Sequence, residues 1–166
     1  MRRLIATMLV PAALPAATAD ARFLDGRLAA APASPFPIAG AWHWGGPGTH
    51  FGDRGGAHDG EDLMSRCGTP VVAAAAGRVV FVDYDGASGN YLVVRTARGD
   101  HIYMHLRAKP RFGVGDRVDA GDRLGSVGRT GNASACHLHF ETWTAPGWYD
   151  GGRAVDPRPE LRRRAS

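Results

Sequence analysis

Three things are scarce in this 166-residue chain: cysteine (two, Cys67 and Cys136), lysine (Lys109 alone) and long apolar runs. No segment approaches the ~18 continuous apolar residues that span a bilayer, which excludes stable membrane insertion. No cysteine precedes Cys67, so an N-terminal lipid-attachment site is excluded too. No segment carries the 3.6-residue periodicity of an amphipathic helix of three or more turns, which argues against a helix bundle. Glycine and proline (23 and 11 residues) supply frequent turns instead. A basic stripe is also missing. The formal charge of +4 invites a nucleic-acid reading, but Arg2 and Arg3 fall in the first 19 residues, which hold no acid, leaving +2 for residues 20–166. Setting aside Arg162, Arg163 and Arg164 leaves 15 basic against 16 acidic residues in 20–161. A near-neutral domain without a basic, aromatic-interleaved patch is not a nucleic-acid binder.

What is present starts with a leader. Met1-Arg2-Arg3 precedes an uncharged stretch, Leu4–Ala19, that ends Ala17-Thr18-Ala19. This is the pattern of a secretory signal peptide, cleaved after Ala19 or Ala21, and it implies a secreted or cell-wall location. Residues 20–35 read as a linker rich in proline and small residues. Residues 36–161 form one domain, and 162–166 a basic tail.

Within that domain, short β-rich runs alternate with glycine: Val71–Ala74, Arg78–Asp83, Tyr91–Thr96, His101–Leu106, Val114–Val118, Arg123–Val127 and His137–Trp143. This spacing predicts an all-β, antiparallel two-sheet structure with few or no helices. In His137-Leu138-His139-Phe140-Glu141, a period of two puts Leu138 and Phe140 on one face and His137, His139 and Glu141 on the other. The same rule applied to His101–Leu106 assigns Ile102, Met104 and Leu106 to the core and His101, Tyr103 and His105 to the opposite face. If the two strands are neighbours, their imidazoles converge.

His58-Asp59-Gly60-Glu61-Asp62 adds a third cluster, H-x-G-x-D. Hydrolytic zinc sites use about three His, Asp or Glu ligands and keep one position open. A His and an Asp from one segment, with a His from an H-x-H strand, meet that count. The alternation does not say whether His137 or His139 holds the metal. His43, His50 and His101 have no assignment, and partial exposure is expected of His101.

These motifs resemble the lysostaphin/LytM-type zinc metalloendopeptidases of bacterial peptidoglycan. The likeness rests on His58…Asp62, Tyr103-Met104-His105-Leu106 and His137-Leu138-His139-Phe140-Glu141, with F-G-D-R, G-T-P-V-V-A-A-A-A-G-R-V-V and T-G-N-A-S, and runs from about Phe36 to Leu161. Glu61 departs from it, because relatives usually carry an aliphatic residue there, and Cys136 stands where many have Pro or Gly. The resemblance implies that His58, Asp62 and His139 bind one Zn2+ per chain and that His105 and His137 are catalytic histidines outside the ligand set. It implies a monomeric endopeptidase acting on peptidoglycan peptides. It also implies an antiparallel β domain with its groove over one sheet, a half-barrel like that of biotinyl and lipoyl carriers.

In an exported chain with only two cysteines, a Cys67–Cys136 disulfide is the natural expectation; buried free thiols and metal ligation by Cys136 are the alternatives. Carriers need a modified lysine at a hairpin tip, and Lys109 lies outside the hairpin pattern. An inactive wall-binding relative would have lost ligands, yet all five positions are filled. A zinc D,D-carboxypeptidase is the remaining alternative.

Overall fold

The computed structural model describes residues 34–166, so the expected signal peptide and nearly all of the expected linker lie outside the described residues. Ten strands run in chain order as β1 (Trp42–Trp44), β2 (Glu61–Ser65), β3 (Pro70–Val72), β4 (Gly77–Asp85), β5 (Gly89–Thr96), β6 (Gly99–Leu106), β7 (Arg117–Val118), β8 (Arg123–Ser126), β9 (His137–Thr144) and β10 (Ala154–Val155). Eight of them form one antiparallel sheet in the order β1-β2-β9-β6-β5-β4-β7, with β10 on β9, while β3 and β8 make a second, two-stranded sheet. Among the described residues no helix is long and apolar enough to cross a membrane.

The core lies between the sheets. Leu63, Leu92, Tyr103, Leu138 and Phe140 from the large sheet meet Val71 and Leu124 from the small one, all fully buried. Each such side chain stabilises the fold by about 1.5–3 kcal/mol through burial. The Tyr103 hydroxyl is satisfied there by accepting from the Ala74 N–H at 2.9 Å.

Strand β9 alternates as the sequence predicts, but β6 does not. Tyr103 lies in the core and Leu106 with it, while Ile102 and Met104 belong to a separate cluster on the other face. His101 packs beside Phe140 on the core side, 5 % exposed. The cause is an extra residue. Leu92 pairs with Tyr103 and Asn90 with Leu106, so β6 takes three steps where β5 takes two. His105 occupies the left-handed region, φ 60°. A bulge of this kind resets the alternation, returning Leu106 to the core and leaving both Met104 and His105 free to face the groove.

Two short helical segments are also present, α1 (Asp53–Gly56) and α2 (Arg158–Arg164). The basic run expected as a tail is the last turn of α2. Leu161 is fully buried, and the Arg164 guanidinium bonds Glu160, the Ala74 carbonyl and, at 3.1 Å, the Pro35 carbonyl. Of the three arginines only Arg162 and Arg163 are exposed, so the ordered domain extends past residue 161.

Candidate metal centre

The regular pleat of β9 delivers His137 and His139 to one face at successive same-side positions. Antiparallel pairing with β2 sets Asp62 opposite His139 and Met64 opposite His137. His58 reaches the same point from the loop ahead of β2, a loop closed by Gly52 N–H to His58 O (2.9 Å) and His58 N–H to Asp53 O (3.2 Å). Gly60 must be glycine. A Cβ there would lie 2.6 Å from the Phe140 carbonyl and 2.7 Å from His139 Nε2, closer than real contacts allow. The H-x-G-x-D spacing thus reflects a backbone pressed against the neighbouring strand.

The structure brings His58 Nε2, Asp62 Oδ1 and His139 Nδ1 within 2.8–3.1 Å of one another, all buried. Outer partners set the tautomers. His58 Nδ1–H donates to the His50 carbonyl at 2.8 Å, and His139 Nε2–H donates to Glu141 at 2.9 Å. Each ring therefore turns inward the nitrogen left free to take a proton or a metal ion. Two lone pairs and a carboxylate oxygen converging without a proton repel one another unless a cation sits among them. Tetrahedral zinc with bonds of about 2.0–2.1 Å puts its ligand atoms about 3.3 Å apart, close to what is seen, so the donor set fits zinc.

The electrostatics agree. Burial alone would raise the Asp62 carboxyl, but hydrogen bonds from His139 and His58 hold it far below the usual carboxylate range. Burial pushes His139 down, yet the Asp62 and Glu141 carboxylates prevail and lift it to about 9, so at neutral pH a proton or a metal ion occupies its inward Nδ1. The centre calls for positive charge. Arg54 reaches in from the rim, its guanidinium donating to Asp62 Oδ2 at 3.1 Å and to the Gly48 carbonyl at 2.9 Å, which occupies the carboxylate oxygen that does not face the histidines.

His105 and His137 stand beside this trio with ring centroids 4.6 Å apart. Their Nδ1–H groups donate to the carbonyls of Thr130 and Ala135, each at 2.9 Å, so each Nε2 is a free acceptor. Burial first, then the neighbouring His137, holds His105 down at about 4, and burial likewise lowers His137. Both are neutral at pH 7. Concavities of about 230 and 110 Å3 flank the centre; Arg54, His105 and Asn132 line both. A larger one, about 390 Å3, is lined by Arg107, Lys109, Arg111 and Arg123 and offers no metal-binding side chain, so chemistry rather than size identifies the site.

All five residues singled out in the sequence come together, and the other histidines stand apart. His101 is on the opposite face, His43 bonds the Trp44 carbonyl, and His50 Nδ1 bonds Glu61 at 2.7 Å while its carbonyl holds His58. Glu61, fully buried, also accepts from Arg158 at 2.8 Å, which explains how a carboxylate occupies an expected aliphatic position. The Cys67–Cys136 disulfide forms, with Cα atoms 5.2 Å apart, and joins the ends of β2 and β9 that lie nearest the histidines. The Thr130 and Ala135 carbonyls and the inward reach of Arg54 were not evident in the sequence. F-G-D-R was the only signal for the last, and backbone acceptors leave none.

The description of peptidase family M23 matches residues 56–157. The glycyl-glycine endopeptidase ALE-1 of Staphylococcus capitis is 39% identical over 115 residues, covering 68% of this chain and 31% of that protein. The peptidoglycan DD-endopeptidase ShyC of Vibrio cholerae is 37% identical over 87 residues, covering 51% and 20%. The chain thus spans about a third or less of the length of these curated relatives. The solved catalytic domain of lysostaphin from Staphylococcus simulans superposes with a TM-score of 0.62 at 32% identity, covering 73% of this chain and 92% of that one. A zinc-containing peptidase from Vibrio cholerae gives 0.59 at 28%, covering 73% and 37%.

Proposed function

The chain belongs to peptidase family M23, and from that premise we propose that it is an exported zinc endopeptidase hydrolysing peptide bonds of bacterial peptidoglycan. The observation that carries the proposal is the convergence of three donor atoms, His58 Nε2, Asp62 Oδ1 and His139 Nδ1, beside two neutral imidazoles. Relatives named for cutting glycyl-glycine bonds and for DD-endopeptidase activity support the substrate class. The Met1–Ala19 leader supports export.

In this reading His58, Asp62 and His139 hold the ion. Zinc bound there supplies Lewis acidity and lowers the pKa of water from 15.7 to about 7. His105 and His137 do the proton work. One Nε2 accepts the proton of the attacking water, and the same proton is delivered to the amine nitrogen as the C–N bond breaks. Once it carries that proton, the same ring's Nε2–H can also donate to the carbonyl oxygen as negative charge grows on it. The second imidazole, its Nε2 likewise a free acceptor, holds the water in position. The Thr130 and Ala135 carbonyls keep both rings in the tautomer this requires. Glu141, held by the Trp143 indole N–H at 2.6 Å, does the same for His139.

Digestion of purified peptidoglycan by the purified chain, read by mass spectrometry, tests the proposal. Expected are muropeptides cut within a stem or cross-bridge, loss of cutting with a chelator, and recovery on zinc add-back. Release of terminal amino acids alone would favour a D,D-carboxypeptidase, and cutting unaffected by the chelator would refute the zinc reading.

A further inference from the structure

The groove-facing side of the large sheet does not end at the histidines. Along β9 the same face carries His137, His139, Glu141 and then Trp143, and across β6 and β5 it continues through Met104, Ile102, Val93 and Tyr91. It ends in a set of aromatic rings: Phe81, Tyr91, Trp143, Trp148 and Tyr149. Trp148 and Tyr149 are 4.1 Å apart, Phe81 and Tyr149 5.1 Å, and Phe81 and Tyr91 5.7 Å. Tyr91 is buried, whereas Tyr149 is 65 % exposed and forms the outer surface of the set. Tyr149 is thus an exposed platform backed directly by Phe81 and Trp148, with Trp143 and Tyr91 behind them.

The loop that carries it is fastened. The Trp148 N–H donates to Asp100 at 2.9 Å, and Arg95 bonds both Asp100 (2.9 Å) and Asp150 (2.8 Å). These groups also give the platform a polar rim, to which Asp83, paired across from Tyr91, belongs. The platform is continuous with the metal centre. Met104 packs in the aromatic cluster and lines the concavity that holds His58 and His139, and Glu141 bonds both His139 and Trp143.

We infer that this aromatic face is a glycan subsite, on which a pyranose ring of the strand bearing the cleaved peptide stacks. The inference rests on the peptidoglycan reading given above. Aromatic rings offer their faces to the C–H face of a sugar, while rim carboxylates and guanidinium take its hydroxyls, the division between apolar body and polar edge that such sites need. Spacing points the same way. Trp143 lies four residues along β9 from His139, about 13 Å at ~3.3 Å per residue. An extended peptide of about four residues covers the span to that inner edge of the aromatic set.

The test compares the parent with Tyr149→Ala and Tyr149→Phe on two substrates, intact cross-linked peptidoglycan and a glycan-free cross-linked peptide, together with tryptophan fluorescence on adding peptide-free glycan strands. The expected result is a 3- to 10-fold fall for Tyr149→Ala in the ratio of kcat/KM on peptidoglycan to that on glycan-free peptide, carried by apparent KM. Tyr149→Phe should keep the parent's ratio, and the fluorescence response to glycan strands should weaken in Tyr149→Ala alone. An unchanged ratio with an unchanged fluorescence response would overturn the subsite while leaving the hydrolase reading intact. A parent that cuts neither substrate would overturn that reading, and the fluorescence titration would still decide the platform. Sedimentation showing a dimer that Tyr149→Ala dissolves would assign the face to a second copy instead.

Discussion

Strands β6 and β9 lie side by side and each brings histidine to the centre, yet by different means. On β9, His137 and His139 arrive through an unbroken pleat, opposite Met64 and Asp62. On β6, His105 arrives through a bulge with a left-handed backbone, φ 60°, a conformation that costs a residue with a Cβ about 1–2 kcal/mol. The proposed ligand His139 comes from the unstrained strand, and the strain falls on an imidazole proposed to move protons. Strain of this kind persists where the surroundings over-determine it. Here the Ser88 carbonyl takes the His105 N–H at 2.8 Å, and the Thr130 carbonyl takes its Nδ1–H.

The division between the two strands can be broken experimentally. His105→Ala is expected to lower kcat on peptidoglycan by about 10²–10⁴, the usual contribution of a positioned acid or base, while zinc stays bound. A rate near the parent's would remove His105 from the proton pathway. Next in size is the disulfide, which fastens β9 and has no counterpart on β6. Replacing Cys67 and Cys136 by serine opens a loop with a sequence separation of 69 and should cost about 4 kcal/mol in the chain-entropy account. Urea unfolding of the oxidised parent against the double variant measures it.

A smaller effect concerns the regular part of β6. His101 faces Glu160 at 3.8 Å, with Arg164 and Asp100 nearby, and burial holds it down at about 4. The unfolded value is about 6.5, so between pH 6.5 and 4 the unfolded chain binds more protons. Stability should therefore be constant in this respect above pH 6.5 and fall as pH drops through that window, by about 2–3 kcal/mol for this one group. Subtracting the urea midpoints of His101→Leu from the parent's across that range isolates it; a flat difference would contradict the assignment. The smallest effect separates the strands most cleanly. Glycine normally costs a strand about 0.5–1 kcal/mol relative to alanine, and His139→Gly should be less stable than His139→Ala by that amount. At position 105 the order should reverse by about 1 kcal/mol, because glycine accepts the left-handed backbone. Equal ordering at both sites would mean the bulge carries no strain.

The same contrast explains what was legible in the sequence. His137-Leu138-His139-Phe140-Glu141 alternates in the chain and in the sheet, so its two faces were readable. Ile102-Met104-Leu106 also alternates in the chain, but the bulge moves Leu106 to the side of Tyr103, and nothing in a period of two announces an inserted residue. His58, Gly60 and Asp62 were visible as a motif, whereas the contact that requires glycine is with the Phe140 carbonyl 80 positions away. Helix α2 escaped notice because its single buried residue, Leu161, gives no periodic stripe. Glu61 stood out as an unusual residue, but its satisfaction by His50 and Arg158 depends on elements distant in the chain.

The central claim is that β9 supplies a metal ligand, His139, whereas β6 supplies only a proton carrier, His105. Zinc stoichiometry and affinity, measured side by side on purified parent, His139→Ala and His105→Ala by competition with a chromogenic chelator, test it directly. The account predicts one tightly bound zinc in the parent and in His105→Ala and none in His139→Ala. Tight zinc retained by His139→Ala, or lost from His105→Ala with its fold intact, would contradict it.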